Sequence, residues 1–304
     1  MNLHECPLCP RRCSIPEGGT GFCRARGVRD GRVVPLHYGR ISSIALDPVE
    51  KKPLAHFHPG STVLSVGTFG CNLDCRFCQN AAISRDFRPR EALEARTATP
   101  QELVDMAVSM VSKGNLGLAY TYNEPLVNYE FVRDTARAVH AARLLNVLVT
   151  NAYLCPDPFD ALLPLIDAAN IDVKSFSEGF YQDLCGAPPP CVHEAGADRE
   201  PLHRADCSGS GALACVMRNL ESAVRHGVHV EATYLVLDEA NDEDEAVYRL
   251  GKWLAGIRRS IPLHITRSFP RRFDLERAPT PVTTLHRLAD AARRSLDEVH
   301  VGNI

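Results

Sequence analysis

Three cysteines in one short stretch, Cys71, Cys75 and Cys78, have the residue type and spacing of a metal-binding loop. Intervals of three and then two residues bring three thiolates around one centre, and soft sulfur ligands favour an iron–sulfur cluster or zinc. A four-iron cluster normally takes four cysteines, so three leave one iron open to a substrate or cofactor. The alternatives are a zinc knuckle or three unrelated core thiols, since free cysteine is often buried.

A second cysteine group precedes the first and contains Cys6, Cys9, Cys13 and Cys23. Four ligands make a closed site, which suits structural zinc or a complete iron–sulfur cluster. Four unliganded thiols are the less favoured interpretation, because this segment has little else to fold around. The sequence therefore predicts one metal centre here and leaves zinc and iron–sulfur open.

The composition is that of a globular protein with a large core. Of the 304 residues 45% are hydrophobic, and the formal charge of −3 argues against binding nucleic acid through phosphate contacts. No apolar run approaches the ~20 residues of a membrane span, and the N-terminus lacks the pattern of a signal peptide. Twelve cysteines in clusters, without a secretion signal, favour metal binding in a reducing cytoplasm over disulfides. We therefore expect a cytoplasmic protein with no nucleic-acid or membrane partner.

From residue 62 onward, strand-like and helix-like segments alternate, which is typical of a parallel α/β fold. The best-marked helix begins with a capping box of Thr99 and Glu102, has Pro100 at its first position, and is predicted to end at Gly114. Before this alternation, residues 32–60 are predicted to form a hairpin. The predicted strands cover 62–67, 116–122, 147–151, 170–174, 228–237, 262–266 and 299–302. The predicted helices cover 127–145, 159–168, 214–226, a segment starting at 241–245, and 283–295.

Polar side chains follow several of these strands, where functional residues of parallel α/β barrels gather. They are Tyr122-Asn123-Glu124-Pro125, Thr150-Asn151, Asp172-Val173-Lys174 and the segment from His264 to Arg267. Buried charges at such positions need partners or a ligand. Local helix capping is the alternative for single members of the set.

The spacing C-x3-C-x2-C, with Phe77 directly before the third cysteine, resembles the signature of radical S-adenosylmethionine (SAM) enzymes. The resemblance implies a 4Fe-4S cluster on Cys71, Cys75 and Cys78, whose open iron binds SAM through its methionyl amine and carboxylate. It further implies that one electron cleaves SAM and that a 5′-deoxyadenosyl radical abstracts hydrogen from a substrate. The ending Cys78-Gln79-Asn80 is similar to the Cys-His-Asn of pyruvate formate-lyase activating enzymes.

The segment from Asp47 to Gly60, between the two cysteine groups, extends the likeness. With them it resembles the radical SAM member of the AmmeMemoRadiSam system, which is related to these activating enzymes. His56 and His58 in this segment are candidate ligands or substrate contacts, although solvated or packed histidines are more common. The resemblance implies an α/β fold with a partial (β/α)6 TIM-like radical SAM barrel over 61–304. A small cysteine-rich extension and hairpin would occupy 1–60, and 187–214, with Cys191 and Cys207, would be a surface insertion.

The resemblance also implies roles for single residues. The superfamily holds the methionyl amine of SAM with a Gly-Gly-Glu motif, and here the matching segment is Tyr122-Asn123-Glu124. Asn151 matches an asparagine near the SAM ribose or methionyl end, Asp172 and Lys174 match an Asp-x-Lys whose lysine meets a carboxylate, and His264 matches a late histidine near the substrate. The predicted cofactor-binding residues are Phe77, Asn123, Glu124, Asn151 and Lys174, and the predicted catalytic residues are Asp172, Lys174 and His264. The purely structural alternative pairs Glu124 with Arg133 and leaves Lys174 solvated.

The implied partners are a flavodoxin- or ferredoxin-type electron donor and a substrate that the sequence does not identify. A glycyl residue on a partner protein, another peptide side chain and a small molecule all stay open, since fold and cofactor do not fix the substrate. Two competing hypotheses have no SAM chemistry. One is an iron–sulfur electron-transfer protein that uses both cysteine groups, and the other is a zinc-stabilised interaction module.

Overall fold

The computed structural model describes residues 2–189 and 211–304. Its strands are β1 (Leu3–Glu5), β2 (Ser14–Pro16), β3 (Arg26–Arg29), β4 (Arg32–Pro35), β5 (Ser43–Pro48), β6 (Thr62–Gly67), β7 (Asn115–Tyr120), β8 (Leu145–Thr150), β9 (Ala168–Asp172), β10 (His229–Val236), β11 (Leu263–Arg267) and β12 (Val299–Gly302). Its α-helices are α1 (Ala81–Ser84), α2 (Pro89–Glu94), α3 (Pro100–Ser109), α4 (Tyr129–Ala141), α5 (Pro156–Leu162), α6 (Glu178–Asp183), α7 (Ala212–Arg225), α8 (Asp244–Ile257) and α9 (Val282–Arg293).

The core of the fold is an eight-stranded sheet in the order β12-β11-β10-β9-β8-β7-β6-β5. Strands β6 to β12 run parallel, whereas β5 pairs with β6 in the antiparallel direction. Within the described residues β5 and β12 are the two edges, so the sheet curves without closing into a barrel. The predicted α/β fold with a partial TIM-like barrel is confirmed, and β12 lies where the last of the seven predicted strands was expected.

Burial explains why the parallel strands form. In β6, Val63, Leu64 and Val66 are buried, as expected for a strand covered on both faces. The predicted start of α3 is confirmed: Thr99 Oγ1 accepts from Glu102 N at 3.2 Å, and the Glu102 carboxylate accepts from Thr99 N at 2.7 Å. The helix itself ends at Ser109.

The predicted hairpin over residues 32–60 is wrong. Strand β4 pairs with β3 in a separate two-stranded sheet, whereas β5 pairs with β6 of the main sheet. Alternating polarity predicts a strand but does not identify the strand that it pairs with. The hairpin prediction therefore paired the segments that form β4 and β5 with each other. The main sheet thus includes strands from both sides of residue 60, where the predicted N-terminal extension was separated from the predicted barrel. The division into these two parts stays a prediction. Residues 190–210 of the predicted insertion, with Cys191 and Cys207, lie outside the described residues.

The helix predicted over 159–168 is also wrong in its extent. Helix α5 covers Pro156–Leu162, a short 3₁₀ helix covers Leu163–Leu165, and β9 already begins at Ala168. Pro164 has no N–H to donate within a continuing α-helix, which explains why α5 ends before it. Among the helices of residues 2–189 and 211–304, none combines the length and apolar character needed to cross a membrane.

Candidate active site

A cavity of about 600 Å³ opens where β7, β8 and β9 end. This volume lies within the range of roughly 300–1,000 Å³ that is typical of small-molecule sites. It is lined by the cysteine triad and by the residues that the sequence assigned to SAM binding or catalysis. These are Cys71, Cys75, Phe77, Cys78, Asn123, Glu124, Asn151, Asp172, Lys174 and His264. The structure brings this set into one cavity, whereas the candidate contacts His56 and His58 are not part of its lining.

The loop that carries the triad is held by backbone and side-chain contacts. Asp74 N donates to Cys185 O at 2.8 Å, on the segment after α6. On its other side, Arg272 Nη1 donates to Asp74 Oδ1 at 2.6 Å and to Cys75 O at 2.9 Å, and Arg272 Nε donates to Asp86 Oδ2 at 2.9 Å. Arg272 is 198 residues from Asp74 in sequence, so no local pattern predicts these hydrogen bonds.

Replacing Arg272 by methionine is expected to loosen the triad loop. The variant loses four hydrogen bonds, the fourth being that from Arg272 Nη2 to Asp86 Oδ1 at 2.7 Å, but Asp74 and Asp86 are partly exposed, so the stability cost is only about 1 kcal/mol. The larger expected effect is faster bleaching of the reconstituted cluster in air, followed by visible absorbance. Arg271→Met is the matched control, because Arg271 is exposed and its side chain donates to the neighbouring Pro270 O rather than to the triad loop. Equal bleaching rates in both variants would contradict the positioning role.

The triad fits a cluster with three protein ligands. Cys71 Sγ accepts hydrogen bonds from Leu73 N at 3.4 Å and from Asn151 Nδ2 at 3.8 Å, the kind of contact that tunes cluster sulfurs. Burial raises the pKa of the Cys71 and Cys78 thiols, and a hydrogen bond with Cys185 together with burial raises that of Cys75. Thiolates at these positions therefore require a bound metal, which deprotonates its thiol ligands.

Glu124 is a buried carboxylate without a cationic partner. Its Oε1 accepts from Leu126 N at 3.0 Å and Thr150 Oγ1 at 2.8 Å, and its Oε2 accepts from Asn151 N at 2.8 Å. Burial raises the pKa of Glu124 to about 7 although these three hydrogen bonds favour the ionised form. No ion pair of the described residues includes Glu124, and Arg133 pairs with Asp134 instead.

The two residues that replace the superfamily glycines have structural roles. Tyr122 adopts φ +72°, the left-handed region that glycine favours, and its hydroxyl donates to Asp47 Oδ2 at 2.7 Å. Asn123 Oδ1 accepts from Thr68 N at 3.0 Å, and its Nδ2 donates to Gly70 O at 2.9 Å. The glycine-like backbone is thus present, and Asn123 fixes the residues just before Cys71. Its contact with a cofactor stays a prediction.

Asp47 and Lys52 were missed by sequence reasoning. Lys52 Nζ lies 2.7 Å from Asp47 Oδ2, and its side chain is buried at the cavity wall. Burial alone would raise the pKa of Asp47, but hydrogen bonds from Lys52 and Tyr122 lower it to about 2. The ion pair therefore holds the Asp47 carboxylate in place to accept the hydrogen bond from the Tyr122 hydroxyl. A charged pair spaced like a helical turn gives no sign of this role in the sequence.

Asp172 and Lys174 form an ion pair, with Lys174 Nζ 2.6 Å from Asp172 Oδ2. Burial alone would lower the pKa of Lys174, but the Asp172 carboxylate outweighs it and raises that pKa. The lysine is therefore cationic and largely buried at the cavity wall, rather than solvated. Phe77 is also buried, with its ring centroid 5.9 Å from that of Phe180.

His264 was predicted at the end of its strand, and this position is wrong. It is the second residue of β11, and its Nε2 lies 2.6 Å from Glu231 Oε2. Glu231, which sequence reasoning missed, is fully buried and also accepts from His229 Nε2 at 2.9 Å and from His56 N at 2.8 Å. A glutamate within the apolar strand His229–Val236 was the available signal. His264 reaches the cavity because it shares the inward face with Thr266.

The second cysteine group also converges. Cys6, Cys9, Cys13 and Cys23 line one small pocket together with apolar side chains and Arg26. Cys6 N donates to Cys13 O at 2.9 Å, and burial raises the pKa of the Cys23 thiol to about 11. Cys71 N donates to Cys23 O at 3.2 Å, so the two cysteine groups touch through the backbone. Four thiols that converge in one pocket, three of them buried, fit a closed metal site.

The comparison with known families decides the assignment. A sequence profile described as the radical SAM superfamily matches residues 65–251, which is more than half of the chain. The chain belongs to the radical SAM superfamily. Membership implies an enzyme that uses a 4Fe-4S cluster and SAM, and it confirms the family that the cysteine triad predicted. It disfavours both competing hypotheses, neither of which has SAM chemistry.

Individual relatives of this radical SAM protein agree with the assignment. An uncharacterized protein of Methanocaldococcus jannaschii is 34% identical over 305 residues, covering 100% of this chain and 82% of that protein. SuiB of Streptococcus suis, solved with its precursor peptide SuiA, superposes with a TM-score of 0.56 at 12% identity, over 79% of this chain and 48% of SuiB. A radical SAM methyltransferase of Sphaerobacter thermophilus gives 0.55 at 17% identity, over 81% and 67%. The chain thus spans about half of SuiB, and both likenesses show the fold alone.

Proposed function

We propose that this protein is an activating-enzyme-like oxidoreductase that cleaves SAM reductively and abstracts hydrogen from a substrate. The observation that carries the proposal is Glu124, a buried carboxylate without a cation, in the same cavity as the cysteine triad. An uncompensated buried charge is costly, so hydrogen-bond donors close to a positive charge are expected beside it. The methionyl amine of SAM, held on the open iron of the cluster, would supply such donors.

Different residues of the cavity would bind the cluster and SAM. Cys71, Cys75 and Cys78 hold the cluster, which when bound supplies the electron for cleavage of SAM. Glu124 would accept a hydrogen bond from the methionyl amine of SAM, and Lys174 would meet the SAM carboxylate. Charge-assisted hydrogen bonds of this kind are roughly twice as strong as neutral ones.

Other residues orient these groups and bound the cavity. Asp172 holds the Lys174 ammonium at 2.6 Å, and Asn151 joins the Glu124 and Cys71 sides of the site. Phe77 presents an apolar wall that excludes water. His264, oriented by Glu231, is the proposed substrate-side residue.

The substrate class is proposed as a glycyl residue on a partner protein, by analogy with activating enzymes. Another peptide side chain and a small molecule are the alternatives. The deciding experiment incubates reduced enzyme and SAM with a deuterated lysate, and identifies which fraction transfers deuterium to 5′-deoxyadenosine. Transfer from a protein fraction supports the glycyl or peptide proposal, whereas transfer only from the small-molecule fraction contradicts it.

The proposed electron donor is a flavodoxin or ferredoxin of the reducing cytoplasm. Arg76 on the triad loop and Arg271 are exposed, and Phe273 N donates to Arg76 O at 3.1 Å, which brings two arginine-bearing loops together. Phe273 and Leu275 on the same loop are 64% and 68% exposed. A basic face with apolar anchors, next to the cluster loop, is complementary to an acidic donor.

The N-terminal cysteines are proposed to hold one metal centre separate from the triad. A variant with Cys71, Cys75 and Cys78 replaced by alanine should still contain one equivalent of zinc, or the iron and sulfide of one cluster. Elemental analysis after anaerobic purification distinguishes these two. Replacing Cys6 and Cys9 by serine in that variant should remove the metal, because half of the ligands are lost. A triad-less protein with neither zinc nor iron would contradict the proposal.

A further inference from the structure

Three potential ligands converge beside the start of β12. His56 Nε2 lies 3.0 Å from His300 Nε2 and 3.6 Å from Glu298 Oε2, and the ligand atoms of all three residues lie within 4.8 Å of one another. The three side chains are partly exposed, so an ion can reach them from solvent. Neither the cysteine triad nor the residues proposed for SAM belong to this group.

The donor set and its spacing suit zinc. Two imidazole nitrogens and one carboxylate oxygen are the ligands of open zinc sites, which keep a fourth position for water. With bonds of about 2.0–2.2 Å in tetrahedral geometry, neighbouring ligand atoms lie roughly 3.3 Å apart. The separations of 3.0 and 3.6 Å bracket this value. Small side-chain rotations are therefore enough to bind an ion.

The surrounding contacts hold the ligands in place. The backbone N–H of His56 donates to the buried Glu231 carboxylate at 2.8 Å, and the neighbouring Ala55 N donates to the same carboxylate at 2.9 Å. The His300 ring stacks on His264 with centroids 5.0 Å apart, and His264 is bonded to Glu231 as well. One buried carboxylate thus anchors both halves of the ligand set, which gives the pre-organisation that a metal site needs.

The position of the group in the fold indicates what a bound ion does. Strands β5 and β12 are the two edges of the described sheet. His56 lies in the segment that follows β5, whereas Glu298 immediately precedes β12 and His300 belongs to it. A zinc ion bound by all three residues would therefore link the segment that follows β5, at one edge of the sheet, to β12 at the other edge.

We propose that His56, Glu298 and His300 bind one zinc ion that ties the two ends of the open sheet together. The reconstituted protein, dialysed against zinc and then against metal-free buffer, should retain one zinc per chain that His56→Gln and His300→Gln each lose. His58→Gln is the matched control, because His58 is an exposed histidine two residues from His56 that lies outside the ligand group. It should keep the full zinc content.

X-ray absorption at the zinc edge distinguishes this site from the cysteines. The difference between wild type and His300→Gln should contain nitrogen or oxygen neighbours at about 2.0–2.2 Å and no sulfur at about 2.3 Å. Zinc should also raise the Tm of wild type but not of His300→Gln, since only a native-state ligand stabilises the fold. The readouts do not involve SAM, so they succeed or fail independently of the proposed function.

Three outcomes would overturn the proposal: equal zinc content in wild type and both histidine variants, a difference spectrum that contains sulfur, or zinc that washes out of wild type. Should a histidine variant fail to fold, Glu298→Gln serves in its place. The Glu298 side chain is 45% exposed, and the change is isosteric, so the fold should tolerate it. Glu298→Gln is expected to bind zinc at least tenfold more weakly than wild type, and unchanged affinity would also contradict the site.

Discussion

The variant in which Cys71, Cys75 and Cys78 are all replaced by alanine is expected to make no 5′-deoxyadenosine from SAM. The reduced, anaerobically reconstituted wild type should make it. All three side chains line the cavity. Burial raises the pKa of their thiols, so these cysteines would be poor nucleophiles and are better suited to bind a metal. Without the cluster, SAM has no electron source within the site, and the loss should be complete rather than partial.

The measurement is chromatographic detection of 5′-deoxyadenosine, with iron and sulfide content determined in parallel. Cys185→Ala is the matched control, because Cys185 is a buried cysteine hydrogen-bonded to Cys75 that the triad assignment leaves unliganded. It should retain the cluster and cleave SAM. Product formation by the triple variant would refute the cluster assignment. Loss of the cluster in Cys185→Ala would instead make Cys185 a fourth ligand and refute the open iron.

Local sequence patterns were sufficient to predict which residues line the cavity. Parallel strands end at one face, so polar residues after apolar runs, such as Glu124, Asn151 and Lys174, had to meet there. The spacing within the triad is likewise local, and so is the capping box at Thr99. Each of these features depends on a few consecutive residues, and each is found where it was predicted.

The features that were missed depend on long-range pairing. Glu231 is joined to the chain around His56, far away in sequence, and Arg272 reaches back to Asp74. The pairing of β5 with β6 rather than with its predicted hairpin partner is of the same kind. The predicted strand 262–266 differs from β11 by only one residue at each end, so the missed feature of His264 is its contact with Glu231 and not the strand boundary.

Replacing Glu124 by glutamine or Lys174 by methionine is expected to weaken SAM binding about ten- to a hundredfold. Each change removes one charge-assisted contact with the methionyl end of SAM, and such contacts typically contribute about 1.5–3 kcal/mol. The glutamine retains the shape of Glu124, and with its oxygen in the Oε1 position it still accepts from Leu126 N and Thr150 Oγ1 and loses only the bond from Asn151 N, so its fold should persist. Cluster content should barely change, because neither residue is a ligand. Equilibrium binding of SAM to the reconstituted variants gives the two dissociation constants.

Two controls separate a ligand contact from a structural role. Glu130→Gln removes a carboxylate that pairs with Arg26 at 2.7 Å outside the cavity lining, and it should leave SAM affinity unchanged. Thermal unfolding of each variant is measured beside its affinity. If Glu124→Gln lowers Tm while both variants bind SAM normally, Glu124 and Lys174 serve the fold, and the SAM site lies elsewhere.

The pH dependence of SAM binding gives Glu124 a signature that a structural role lacks. Burial raises the pKa of this carboxyl to about 7 in the free protein, so the acceptor for the methionyl amine of SAM is formed as pH rises through 7. Below pH 7 the carboxyl is protonated before SAM binds, and affinity should fall by up to about tenfold per pH unit, since one proton must be released. Above pH 7 this dependence should level off. Glu124→Gln should show no such dependence between pH 6 and pH 8, and an equal slope in wild type and variant would assign the titration to another group.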